Sequence, residues 1–170
     1  MKAITLWQPW ASLIACGAKK YETRSWATRY RGPIAIHAAA VNPFKVIRGL
    51  DDTTIAAMKN ILRSSGALPQ QGDFRYLPLG AVVATAELVD CHPIFDDGSG
   101  WLYSAYLQRP NRPQEYIHGY ELEFGDWTPG RYAWELVNVQ MLAEPIPVKG
   151  KQGLWNWERG MPNEGKAAIP

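Results

Sequence analysis

The chain has 170 residues, a net charge of +2 and eight tryptophans. That length favours one domain with a core that needs no disulfide or structural metal, and so small a net charge excludes a protein that grips nucleic acid with its whole surface; any basic face must be local. Cys16 and Cys91 fit no metal spacing, no apolar run nears the roughly 18 residues of a membrane span, and Met1-Lys2 leads into a strand-like run with no cleavage pattern, so a cytosolic protein away from the membrane is expected.

Ala3-Ile4-Thr5-Leu6-Trp7 alternates in polarity and reads as a first strand. Pro9 suits the first turn of a helix, where its missing N–H is no loss. Residues 9–16 give two turns, with Trp10, Leu13 and Ile14 on one face. Gly17 stops this helix, because glycine takes the left-handed conformation without a side-chain clash. A strand follows from about Lys20. Side chains two apart share a face of a strand, so Lys20, Glu22 and Arg24 point one way, and Tyr21, Thr23 and Ser25 the other. Lys19 lies in the turn, where parity decides nothing. Residues 34–38 read as a short buried strand holding His37 among small apolar neighbours. A lone histidine there is more often a satisfied core residue than a catalyst.

Asp51-Asp52-Thr53 is a helix start, since short polar side chains cap free backbone N–H groups. Ile55, Met58, Ile61 and Leu62 then recur at helical spacing up to Ser65-Gly66. Residues 79–91 are the longest strand-like run, bending at Gly80. Residues 96–113 read as a long loop holding Trp101, Tyr103 and Tyr106, and loops of that length are usually functional or mobile. Residues 114–124 read as a short helix or an irregular segment. Residues 131–142 form a second long strand, apolar on both faces, which Glu144-Pro145-Ile146-Pro147 breaks. Leu154-Trp155-Asn156-Trp157 is a last short strand or turn. The elements do not alternate as regular βαβ units, so an α+β domain around a curved sheet is expected. It spans residues 1–158, with a loose tail over 159–170.

Residues 17–24 gather two lysines, a carboxylate and an arginine between aromatic segments. The plainer reading is an exposed strand of surface ion pairs, each contributing about 0–1 kcal/mol. Its pattern, Gly17-x-Lys19-x-x-Glu22-x-Arg24, nevertheless resembles the G-x-K-x-x-E-x-R signature of the ASCH domain, a branch of the PUA-like β-barrels. Leu6-Trp7-Gln8-Pro9-Trp10-Ala11, Gly32-Pro33-Ile34-Ala35-Ile36-His37-Ala38, Gly130-Arg131-Tyr132-Ala133-Trp134 and Pro145-Ile146-Pro147-x-Lys149-Gly150-x-x-Gly153-Leu154-Trp155 are similar to the same family. The lead-in and the Pro-Ile-Pro exit are most similar to the subgroup that carries the human endothelial-overexpressed lipopolysaccharide-associated factor. The resemblance implies a PUA-like mixed β-barrel of five to six strands with flanking helices, and a cleft that meets RNA or a nucleoside derived from it. Some small bacterial members remove the acyl group from N(4)-acetylcytidine, using a lysine and a threonine of the signature and a glutamate elsewhere. Lys19 stands at the lysine's position. Glu22 stands at the threonine's, with Thr23 one place later. Glu121 is the best candidate for the distant glutamate, and Glu123 the next.

Amide hydrolysis needs a nucleophile, a base and a group to hold the oxyanion. Water is the simpler nucleophile here, with Glu22 or Glu121 as its base, because two neighbouring carboxylates raise one pKa toward neutrality. Lys19 holds the oxyanion, a contact worth about 3–4 kcal/mol. Trp7 and Trp10 stack on the base at about 1–3 kcal/mol each, and Arg24 forks a carbonyl or carboxylate. Gln8, His37 and Tyr132 complete the expected substrate wall, although a strand patterned like that of Tyr132 is more often core. The alternative is a non-catalytic RNA-binding module that reads a splayed-out base. Arg29, Arg31, Lys45 and Arg48 would then meet phosphates, against the plainer reading of a solvated face. A weaker alternative is a ribonuclease using Lys19, Tyr21 and His37. Lys149-Gly150-Lys151 touches phosphate or is simply an exposed loop. The expected partner is a modified nucleoside or single-stranded RNA. No cofactor is called for, and no metal, since His37, His92 and His118 lack ligand spacing.

Overall fold

The computed structural model describes residues 1–96, 105–107 and 113–158. Trp101, Tyr103 and the expected tail over 159–170 lie outside these described residues. The centre of the fold is β1 (Lys2–Leu6), β3 (Gly32–Ala38) and the first half of β4 (Ala81–Asp96). Their alanines, valines and isoleucines are nearly all buried, small and branched residues that pack closely on a pleated surface. β1 pairs parallel with β3, and β3 pairs antiparallel with β4. β7 (Tyr132–Pro147) pairs antiparallel with β4, and β2 (Tyr21–Arg24) with the start of β7. β8 (Leu154–Asn156) closes on the other edge of β1. The path β2-β7-β4-β3-β1-β8 is open at both ends.

The mixed α+β class agrees with the expectation. Eight strands pair among the described residues, where five to six were expected. The additional two are β5 (Ala105–Leu107), where the sequence reads as loop, and β6 (Glu115–Tyr116), where it reads as a short helix or an irregular segment; both are short strands at the far end of β4. β7 also runs past the expected break at Glu144. Val82 pairs with Ile146, and Ala84 pairs with Met141. The residues between them are therefore looped out as a bulge, which is where a proline without an N–H is tolerated. Further register shifts along β4 and β7 bend the sheet, one of them holding Asn138 at φ 51°.

α1 (Trp10–Ala15) buries every residue from Ala11 to Ala15, with Ala11, Ile14 and Ala15 packed in the core under the sheet. It ends as expected at Gly17, with φ +78°, and the amides of Gly17 and Ala18 bond back to Ile14 and Leu13. α2 (Pro43–Val46) is capped by Asn42, and α3 (Asp52–Ser64) by Asp51, whose Oδ1 accepts from Thr54 N at 2.9 Å. Met58 and Leu62 of α3 pack with Leu13, Phe74 and Phe124 in a core separate from the one under the sheet. α4 (Tyr120–Glu123) is a single turn ahead of the 125–130 connection. No helix among the described residues is long and apolar enough to cross a membrane.

Candidate functional site

A cleft of about 1060 Å³ opens between the β1–α1 junction, β2, the turn at 123–126 and the loop at 148–153. Three tryptophans, Trp7, Trp10 and Trp26, stand in its wall, together with Lys19, Glu22 and Arg24. Trp7 is 58% exposed at the mouth. Trp10 is tied down by its indole N–H, which donates to Phe124 O at 2.8 Å, and Trp26 meets Trp134 edge to face at 4.6 Å.

The turn after α1 carries Lys19 inward, to 1% exposure. Its ammonium lies 3.2 Å from Glu121 Oε1 and 5.8 Å from the Trp127 ring centroid. Glu121 also accepts from the backbone N–H groups of Lys20, at 2.8 Å, and Tyr21, at 3.2 Å. One carboxylate thus caps the start of β2 and holds the lysine. Glu121 is not in the cleft wall, whereas Glu123, two residues on in the same turn, is.

Glu22 and Arg24 share a face of β2, as parity requires, and both face the cleft. Arg24 Nε stands 3.0 Å from Glu22 Oε1 without an aligned N–H bond, and its Nη2 donates to Thr5 O at 2.9 Å. Burial pushes the Glu22 carboxyl above the ordinary 4.5, against the pull of Arg24, Lys19 and Arg131 and with a push from Glu121. Thr23 Oγ1 accepts from Asp126 N at 3.1 Å. Arg131 Nε pairs with Asp126 Oδ2 at 3.2 Å, and its Nη2 donates to Thr23 O at 3.3 Å.

His37 lies beside a register shift in β3 and is 1% exposed. Its Nε2 sits 3.0 Å from Val148 O. A carbonyl only accepts, so Nε2 carries the proton and Nδ1 is a bare acceptor. Burial lowers the pKa of the ring, opposed by the bond to Val148, and so favours the neutral form. Among the described residues, the buried side-chain polar atoms without a hydrogen-bond partner are Arg24 Nε and His37 Nδ1. Both belong to residues of the cleft wall.

Several expected positions fall elsewhere. Gln8 is fully buried outside the wall: its Nε2 donates to Ser12 Oγ at 2.8 Å and Pro78 O at 3.0 Å, and its Oε1 accepts from Ser12 N at 3.1 Å. These bonds fasten the start of α1 to the loop before β4, so Gln8 presents nothing to a ligand. Tyr132 packs on the main core and is likewise absent from the wall. Lys20 does not share the face of Glu22. It precedes β2, and its ammonium lies 3.5 Å from Glu135 Oε1 and 3.9 Å from Glu115 Oε1. Tyr21 turns away from the cleft into a cluster with Ile94 and Trp127, its hydroxyl 3.1 Å from either Glu115 oxygen. Lys19, Tyr21 and His37 therefore do not converge. Arg31 is occupied by Asp90 at 2.7 Å. Arg131, Asp126 and Trp26 in the wall escape the sequence reading. The only signal for Arg131 is strand register: Arg24 opposes Tyr132, which puts the preceding residue beside the site.

A family model described as ASCH domain matches residues 4–146. The human protein named Activating signal cointegrator 1 is 32% identical over 88 residues, which are 52% of this chain. The chain spans only 14% of the length of that curated relative.

Proposed function

The chain belongs to the ASCH domain family, and from that premise we propose that its cleft hydrolyses the amide of an N(4)-acylated cytosine. The observation that carries this reading is Glu22, a largely buried carboxyl whose pKa burial raises, placed in an aromatic-walled cleft beside Lys19 and Arg24. A carboxylate whose pKa is raised is a stronger base than an ordinary one, and it can accept a proton from water and return it later. Ionised Glu22 takes a proton from water while the water oxygen attacks the acyl carbon. The oxyanion that forms is held by the Lys19 ammonium. The carbon–N(4) bond then breaks as protonated Glu22 gives its proton to N(4), leaving a cytosine amine and a carboxylic acid. Glu121 acts by holding Lys19 and the start of β2, so the base is Glu22 and not Glu121. The Gln-Pro-Trp-Ala lead-in and the Pro-Ile-Pro exit support the narrower subgroup named above.

Incubating the purified protein with N(4)-acetylcytidine and separating products by chromatography tests this. Cytidine and acetate are expected, with the rate lowered about 10²–10⁴-fold in Glu22→Gln and about 10²–10³-fold in Lys19→Ala. No cytidine above the Lys19→Ala control removes the hydrolase reading. The second reading is a non-catalytic reader of RNA, favoured by Trp7, an indole more than half exposed at the mouth and free to stack on a base. ASCH domains are RNA-associated, which supports it further. RNA binding that survives Glu22→Gln, fails in Trp7→Ala and releases no cytidine decides for the reader.

A further inference from the structure

We propose that the loop at 148–153 is a phosphate-binding subsite at the edge of the cleft, so that the ligand is a base carried on a ribose phosphate and not a bare nucleoside. For the base the inference rests on the reading above; for the phosphate it rests on the loop itself.

The cations deep in the cleft already have carboxylates. Lys19 has Glu121 at 3.2 Å, Arg24 has Glu22 at 3.0 Å, and Arg131 has Asp126 at 3.2 Å. An uncharged ring fits such a balanced floor, and a second anion does not. Lys149 and Lys151 differ. Both line the cleft, both are exposed, and neither ammonium lies within ion-pair distance of a carboxylate among the described residues.

The backbone between the lysines is arranged the same way. Val148 O faces His37 Nε2 at 3.0 Å, and Lys151 O accepts from Thr5 Oγ1 at 2.8 Å. Thr5 Oγ1 is itself held by the Trp155 indole at 3.2 Å, and Val148 N donates to Gly80 O at 3.0 Å. The loop is thus pinned at both ends with these carbonyls bound to the body of the fold. The N–H groups of Lys149, Gly150, Lys151 and Gln152 have no backbone acceptor among the described residues. Gly150 is needed for this seat: a Cβ there would overlap His37 Cε1 and stand 2.6 Å from His37 Nδ1 and 3.0 Å from Thr5 Oγ1. Unbonded amides flanked by two ammonium groups make a concavity for an anion. A phosphate supplies the acceptor oxygens for such charge-assisted bonds. A nucleoside monophosphate and an RNA phosphodiester both present this chemistry.

Calorimetry compares N(4)-acetylcytidine, its 5′-monophosphate and a short single-stranded RNA carrying the same base, each against wild type and the Lys149→Ala/Lys151→Ala protein. Either phosphorylated ligand is expected to bind wild type about tenfold or more tighter than the nucleoside. The gain disappears in the double variant while nucleoside affinity stays. A gain only with RNA assigns the subsite to a phosphodiester, and a gain with both ligands assigns it to either source. Nucleoside binding with no gain from phosphate, or a gain that survives the double variant, overturns the subsite and leaves the hydrolase reading standing. Inorganic phosphate, titrated while backbone amide NMR shifts are followed, probes the loop without any base. Shifts concentrated at 149–152 that vanish in the double variant support the subsite even if no cytosine ligand binds. Shifts scattered over Arg29, Arg31, Lys45 and Arg48, or none, overturn it.

Discussion

On the cleft side of β2, Glu22 stands 3.0 Å from Arg24 Nε, in poor alignment, with its carboxyl raised by burial. On the reverse side, Glu135 opposes Tyr21 in the ladder and is held by His92 Nε2 at 2.8 Å and by Lys20 at 3.5 Å. Glu115 there receives the Tyr21 hydroxyl, and Asp90 lies 3.8 Å from His92 Nδ1. Both sides place carboxylates beside cations or donors, but among the described residues only the cleft side keeps buried polar atoms without a hydrogen-bond partner. A buried unsatisfied polar atom costs about 1–3 kcal/mol. Native folds rarely keep such atoms without a use. Here one lies on β2 and the other on β3, and both belong to residues of the cleft wall, which distinguishes that wall from the reverse side of β2.

The comparison is broken most forcefully at adjacent lysines. Lys19→Ala leaves Glu121 without its ammonium in a mostly buried setting, and a loss of about 3 kcal/mol in urea unfolding is expected. Lys20→Ala removes only an ammonium at 45% side-chain exposure, and a change within about 0.5 kcal/mol is expected. Equal losses would show that burial does not distinguish the two. Next come neighbours on either side of the cleft wall. Gln8→Ala deletes buried hydrogen bonds and should lower stability by about 1–3 kcal/mol without altering ligand affinity. Trp7→Ala should do the reverse: stability within about 0.5 kcal/mol of wild type and base binding weaker by about 1–3 kcal/mol. Paired denaturation and calorimetry would expose any exchange of these roles.

The smallest expected effect concerns Glu22 itself. Its folded-state pKa is raised above 4.5, so its contribution to stability is fully present below that value and is lost as pH rises through the folded pKa. Glu22→Gln cannot ionise and should flatten that part of the melting-temperature profile, leaving the variant relatively more stable at neutral and alkaline pH. A wild-type profile that climbs more steeply than the variant's above 4.5 would overturn the assignment.

Much of this is legible in the sequence. The stop at Gly17, the cap at Asp51 and the shared face of Glu22 and Arg24 follow from local rules, and each is observed. That Gln8 and Tyr132 stand outside the cleft wall is not legible in the sequence, because a residue inside a family-like segment has the same local pattern whether it faces a ligand or the core. β5 and β6 went unread because strands of three and two residues have no period to detect. The proline-rich stretch near Glu144 looked like an end because nothing in the chain announces that a partner strand will continue across a bulge.

By itself the sequence determined where elements start and stop and which side chains of one strand share a face, since backbone sterics and side-chain parity act over a few residues. The tertiary structure alone decided that Glu121 reaches back 102 residues to hold Lys19, that Arg131 joins the wall through the register of β7, and that Gly150 lies flush on His37. Those meetings depend on pairing register and on the burial that neighbouring elements impose, and neither leaves a mark on any short stretch of chain.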